Sequence, residues 1–134
     1  YIAGWLELQF ILDHFAQGVA HLERVVQLRG DWPTARAAYG IALRRQATKE
    51  TDPIERQNLF VRAEGELLAA LGQNPHLLDP NQESFWGPIG GIRRDKGNLV
   101  GAIEAYENAL KVTPRSSYPL GNLAGLYLEA GRLS

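Results

Sequence analysis

Cysteine and methionine are both absent from this 134-residue chain. Without thiols there is no disulfide framework, no thiolate metal site and no cysteine nucleophile, and the redox compartment stays open. An excess of one charge is also missing. The 14 basic and 15 acidic residues leave a formal net charge of −1. That supplies none of the basic field that binding to a phosphate backbone requires, so nucleic acid is excluded as a partner. No apolar run approaches the ~18 residues needed to span a bilayer, so no membrane insertion is expected within this segment. The opening Tyr1-Ile2-Ala3-Gly4-Trp5-Leu6 has neither a basic stretch nor an initiator methionine and does not read as a signal peptide. The chain reads as a piece of something longer, either cytoplasmic or an extracytoplasmic part of a membrane protein.

Catalytic patterns are missing as well. The histidines are His14, His21 and His76. His14 and His21 share a helix face but lie about 10 Å apart along its axis, whereas helical metal-ligand pairs stand three or four residues apart. The run Gly87-Pro88-Ile89-Gly90-Gly91 is followed by no Lys-Ser/Thr and preceded by no strand, so it makes no phosphate loop. No Gly-x-Ser-x-Gly elbow occurs. Acidic residues such as Glu64 with Glu66 and Glu104 with Glu107 spread over helix faces. These absences lead to the expectation that the segment is not an enzyme and holds no metal or cofactor.

Helical periodicity is what the chain does have. Apolar residues make up 45% and charged residues 22%, ordinary for a globular protein. A chain of this length can bury roughly 65–70% of its unfolded surface. Apolar residues recur at spacings of three and four, and strand signals are weak. Proline, glycine and capping residues divide the chain into about six helical segments. The first runs over about 2–28, with Asp13 as the N-cap candidate for a break within it. Gly30-Asp31-Trp32-Pro33 stops it, and Pro33 opens a helix to about Gln46. The strongest start signal is Asp52-Pro53-Ile54-Glu55. It offers a carboxylate N-cap, a proline where no amide is needed and a glutamate able to reach back, with the helix ending near Leu71 at Gly72. After a loop holding Pro75 and Pro80, helices are predicted over about 84–95, 99–112 and 117–130.

The second half shows a period directly. Trp86, Ile89, Gly90, Gly97, Ala102, Tyr106, Ala109, Leu110 and Pro114 follow the order large, large, small, turn glycine, small, aromatic, small, apolar, proline. A shift of ~34 residues leads to Leu120, Leu123, Ala124, Tyr127 and Gly131. This pattern resembles the tetratricopeptide repeat. Weaker copies lie upstream in Ala63, Leu67, Ala70, Leu71 and Pro75, in Tyr39 and Gly40, and in Leu22, Val25 and Val26. Val26, Leu71 and Leu110 stand 45 and 39 residues apart, so insertions are expected around 47–52 and 76–81. Departures from the pattern are Arg93, where the family usually has tyrosine, and the Gly-Pro-Ile-Gly-Gly run, readable as a short kinked helix or as a loop.

The resemblance implies an all-α solenoid of antiparallel helix pairs, a right-handed superhelix of about three repeats. The divisions fall at 1–30, 33–75 and 83–116, with a truncated repeat over 117–134. It also implies a protein-interaction scaffold that binds an extended peptide or a partner helix in the concave groove of the first helices. The lysines and asparagines of the family's carboxylate clamp are matched here by Asn122 alone. Arg44, Arg45 and Arg94 fall on the predicted concave side near helix ends, Arg93 is adjacent, and Tyr118 and Asn122 extend that side. Arginine forks suit an acidic peptide, and equally suit the capping of helix C-termini. Two other functions are compatible with the pattern. One is self-association through the last helix, whose Leu120, Leu123, Leu126 and Tyr127 make an apolar face. The other is a regulatory or accessory role in a larger enzyme or membrane protein.

Overall fold

The computed structural model describes residues 15–133, with side chains over 18–131. The break proposed at Asp13, and His14, lie outside the described residues. Six helices follow in order: α1 Phe15–Leu28, α2 Pro33–Lys49, α3 Pro53–Gln73, α4 Trp86–Asp95, α5 Leu99–Val112 and α6 Ser117–Leu133. No β-strand occurs among the described residues, only an isolated bridge between Leu78 and Ser84. The fold is all-α, with neighbouring helices packed on each other as in a helical-repeat solenoid.

Helix starts follow local chemistry. Asp52 caps α3 by accepting the Ile54 amide at 3.2 Å, with Pro53 in the first turn. The reach-back from Glu55 is not made. The Asp52 amide instead donates to Glu50 Oε1 at 3.1 Å, because Glu50 already lies beside the cap. Asn98 caps α5 through the Gly101 amide at 2.9 Å. Helix ends depart more from expectation. α2 continues one turn past Gln46 to Lys49, absorbing part of the first insertion, with Ala47 fully buried. α3 passes through Gly72 to Gln73, and α6 passes through Gly131. Among the described glycines only Gly97 takes a positive φ, 84°, at the turn between α4 and α5. That left-handed geometry is the one glycine adopts without strain. The run Gly87–Gly91 is helical. Pro88 lies in the first turn of α4, where an amide donor is not needed.

Antiparallel pairing is visible in the contacts. Across α2 and α3, Arg36 Nη1 donates to Glu66 Oε2 at 3.0 Å, and a Cβ on Gly40 would lie 2.7 Å from Leu67 Cγ and 3.0 Å from the Ala63 carbonyl oxygen. Arg62 Nη2 donates to the Tyr39 hydroxyl at 2.6 Å. Early positions of one helix thus meet late positions of the other. Gly40 is where the backbones come closest, which is why the large-small pair Tyr39-Gly40 stands there. In the next hairpin Gly90 faces the Tyr106 ring, and Arg93 Nη1 donates to the Gly101 carbonyl at 3.0 Å.

The core is a string of layers. One cluster joins Leu22, Leu43, Leu59, Phe60, Leu67, Ile89 and Ile92, and a second joins Ala102, Tyr106, Leu123 and Leu126. The second insertion is more than a spacer. Asp79 Oδ1 accepts the Asn81 and Glu83 amides at 2.8 and 3.0 Å, and Leu77 and Phe85 on either side are buried in the first cluster. Between the hairpins, the Glu64 carboxylate of α3 holds Arg93 Nε at 3.0 Å and Lys96 Nζ at 2.8 Å. No described helix is long and apolar enough to cross a membrane.

Candidate interaction groove

The helices α2, α4 and α6, the first of each pair, are linked along one face by polar contacts. Arg44 Nη2 of α2 lies 3.6 Å from Asp95 Oδ2 of α4. Arg94 Nη2 of α4 lies 2.7 Å from Glu129 Oε1 of α6, and its Nη1 is 3.5 Å from Asn122 Oδ1. Asn122 Nδ2 donates back to the Tyr118 carbonyl at 2.8 Å, which fixes the amide that meets Arg94.

Glycines admit the larger side chains on this face. A Cβ on Gly91 would fall 2.4 Å from an Arg44 guanidinium nitrogen, and one on Gly87 would fall 3.1 Å from the Tyr118 ring. The Tyr118 and Tyr106 rings meet edge to face with centroids 6.1 Å apart, an arrangement aromatic quadrupoles favour. Burial, then the charge and hydrogen bonding of Tyr118, push the Tyr106 phenol well above its ordinary value; Arg44 and Arg94 act against that shift. Gly121 and Gly125 of α6 face open space.

The structure therefore brings together Arg44, Arg94, Tyr118 and Asn122. Arg45 stands exposed on the neighbouring position of α2. Arg93 goes elsewhere. A helix turns about 100° per residue, so the neighbour of Arg94 points between α3 and α5, where Glu64 and the Gly101 carbonyl bind it. Sequence reasoning missed Asp95 and Glu129 as partners of the groove arginines, and it placed Tyr106 in the core alone. No local signal marks the first two, since the pairs they complete are 51 and 35 residues apart. Among the described residues no group of three or more His, Asp or Glu side chains could hold a metal ion.

No family model matches the chain. A curated relative, Protein O-mannosyl-transferase TMTC1 of Mus musculus, is 31% identical over 114 residues, covering 85% of this chain and 11% of the relative. The chain thus spans about a tenth of the length of the protein it matches. This similarity corrects the expectation that the segment is not an enzyme. That expectation came from missing motifs within 134 residues, whereas the relative is by name a transferase, and the matched stretch is a small fraction of it. A helical-repeat segment with these features fits a protein-interaction module in general.

Proposed function

We propose that this segment is a protein-interaction module whose concave face, built by α2, α4 and α6, takes an extended segment of a partner protein. The observation that carries the proposal is the surface of that face. Where first helices adjoin, it presents glycines and polar side chains instead of a packed apolar seam, and Gly125 opens to empty space between Asn122 and Glu129 on its own helix. Extended peptides need backbone-level access and alternating polar contacts, and a glycine-lined trough with arginine, asparagine and tyrosine provides both. An acidic partner suits Arg44 and Arg94 best. The similarity to a short part of an O-mannosyl-transferase supports an accessory role within a larger enzyme, in which this array holds a protein for the catalytic portion.

Filling the trough tests the proposal. Gly125→Phe places a ring where nothing lies within 4 Å, and it replaces a poor helix former, so folding should persist. Peptides selected from a displayed random library on the unmodified chain should bind Gly125→Phe at least tenfold more weakly by isothermal titration calorimetry. Unchanged affinity would place the contacts elsewhere.

A second reading, self-association, is favoured by one observation. Of the apolar face expected on α6, Leu123 and Leu126 are buried against α5, whereas Leu120 and Tyr127, joined by Leu128, are 48%, 51% and 64% exposed. Light scattering should then show a mass that doubles with concentration and reverts to monomer in Leu120→Glu/Tyr127→Glu; a monomer at millimolar concentration removes this reading.

A further inference from the structure

Three glycines within five residues weaken α4, each by roughly 1 kcal/mol relative to alanine. The hollow at each is filled by a side chain with a polar end. The Tyr118 ring, from α6, lies over Gly87. The Tyr106 ring, from α5, lies over Gly90, where an added Cβ would approach its atoms to 2.7 Å, and the Arg44 guanidinium, from α2, lies over Gly91. Arg94 of α4 joins them through Asn122, whose Oδ1 lies 3.5 Å from Arg94 Nη1 and whose Nδ2 donates to the Tyr118 carbonyl. Four helices thus send polar groups to one place on the concave face.

We infer that Arg44, Arg94 and Tyr118, backed by Tyr106, form a subsite for the side-chain carboxylate of an aspartate or glutamate in an extended partner segment. The inference rests on the groove reading above and names what the groove selects. Guanidinium groups offer donors only, and a phenol offers one more, so the matching group is acceptor-only and anionic. Local charge decides which anion. Asp95 already lies beside Arg44 and Glu129 beside Arg94, so the cluster is balanced before a ligand arrives. A monoanion can share those arginines, whereas a dianionic phosphate meets two carboxylates at close range. Tyr106 is 1% exposed and does not reach the ligand. It is a positioning residue. It meets the Tyr118 ring edge to face with centroids 6.1 Å apart, its hydroxyl feels Tyr118, and it so backs the Tyr118 side chain, on a residue 45% exposed, over Gly87.

Two measurements test the subsite, and each separates it from the groove as a whole. In the first, peptides selected on the chain are resynthesised with each Asp or Glu changed in turn to Asn or Gln. One such change should weaken binding by roughly tenfold, as expected for a hydrogen-bonded charge. Arg44→Gln and Arg94→Gln should each erase that acid-to-amide difference. Tyr106→Phe, which keeps the buried ring, should cut the difference about threefold with the peptide's amide form binding as before. In the second, capped glutamate and capped glutamine are titrated into the chain while the arginine Nε–H signals are followed by NMR. Glutamate alone should move Arg44 and Arg94. Peptides that bind, and are blocked by Gly125→Phe, yet show no acidic position that matters would overturn the subsite and leave the groove standing. If no peptide engages the groove, the capped-glutamate titration still decides: unmoved arginine signals overturn the subsite. Inorganic phosphate moving those signals at lower concentration than acetate would overturn the carboxylate assignment.

Discussion

Tyr106→Ala should lower the unfolding free energy by about 3–5 kcal/mol, the range for truncating a buried aromatic side chain. The residue is 1% exposed and belongs to the cluster that joins α5 to α6 through Leu123 and Leu126. Its ring fills the hollow over Gly90 and meets Tyr118 edge to face. Removing it opens a cavity where three helices meet. That cavity does not collapse easily, because α4 and α5 are already held by Arg93 on the Gly101 carbonyl. Tyr106→Phe keeps the ring and should stay within about 1 kcal/mol of the unmodified chain. Urea denaturation of the three proteins, followed by circular dichroism at 222 nm, checks both values. A loss below 1 kcal/mol for the alanine variant would mean that α5 and α6 do not depend on this ring.

The second large effect lies between the hairpins. Glu64→Ala leaves Arg93 and Lys96 facing each other with no carboxylate, and all three side chains are mostly covered, at 15%, 14% and 24% exposure. Breaking a fully buried pair costs about 3–5 kcal/mol and an exposed one less than about 1. A loss of about 2 kcal/mol is expected for this intermediate case. The pH dependence has a definite sign. Burial raises the Glu64 pKa, but the hydrogen bonds and charges of Lys96 and Arg93 outweigh it and hold the carboxyl below the ordinary 4.5. The native state therefore binds this proton less readily than the unfolded chain does. The contribution is complete above pH 4.5 and disappears as pH falls through the lower folded value. The stability difference between the unmodified chain and Glu64→Ala, measured in urea at pH 7 and at successively lower pH, should shrink across that acidic range. A difference that stays constant into strong acid would refute the role of this carboxylate.

Both residues show what could and could not be seen beforehand. Tyr106 stood at an aromatic position of the repeat, so its burial was legible. Its neighbours over Gly90 and beside Tyr118 were not, because they come from other helices. Glu64 looked like one acid among several on a solvated face. Its partners lie 29 and 32 residues further along the chain, and their approach depends on how one hairpin stacks on the next.

The glycines divide in the same way. Gly97 was legible as a turn, since only a left-handed residue joins α4 to α5 there. Gly72 and Gly131 carry the same signal but lie inside helices, where packing of the flanking turns overrides a weak local preference. Gly87, Gly90 and Gly91 read equally as loop or kinked helix until the structure shows Tyr118, Tyr106 and Arg44 occupying their hollows.

The sequence by itself determined where most helices form, the cap at Asp52 and the turn at Gly97. Those are local properties, written in periodicity and in residues within four positions of each other. Tertiary structure alone decided that Arg94 meets Glu129 and Asn122 of α6 while Arg93 locks two hairpins together. One residue step turns the side chain through about 100°, and only the placement of neighbouring helices says which direction meets a carboxylate, a carbonyl or open space.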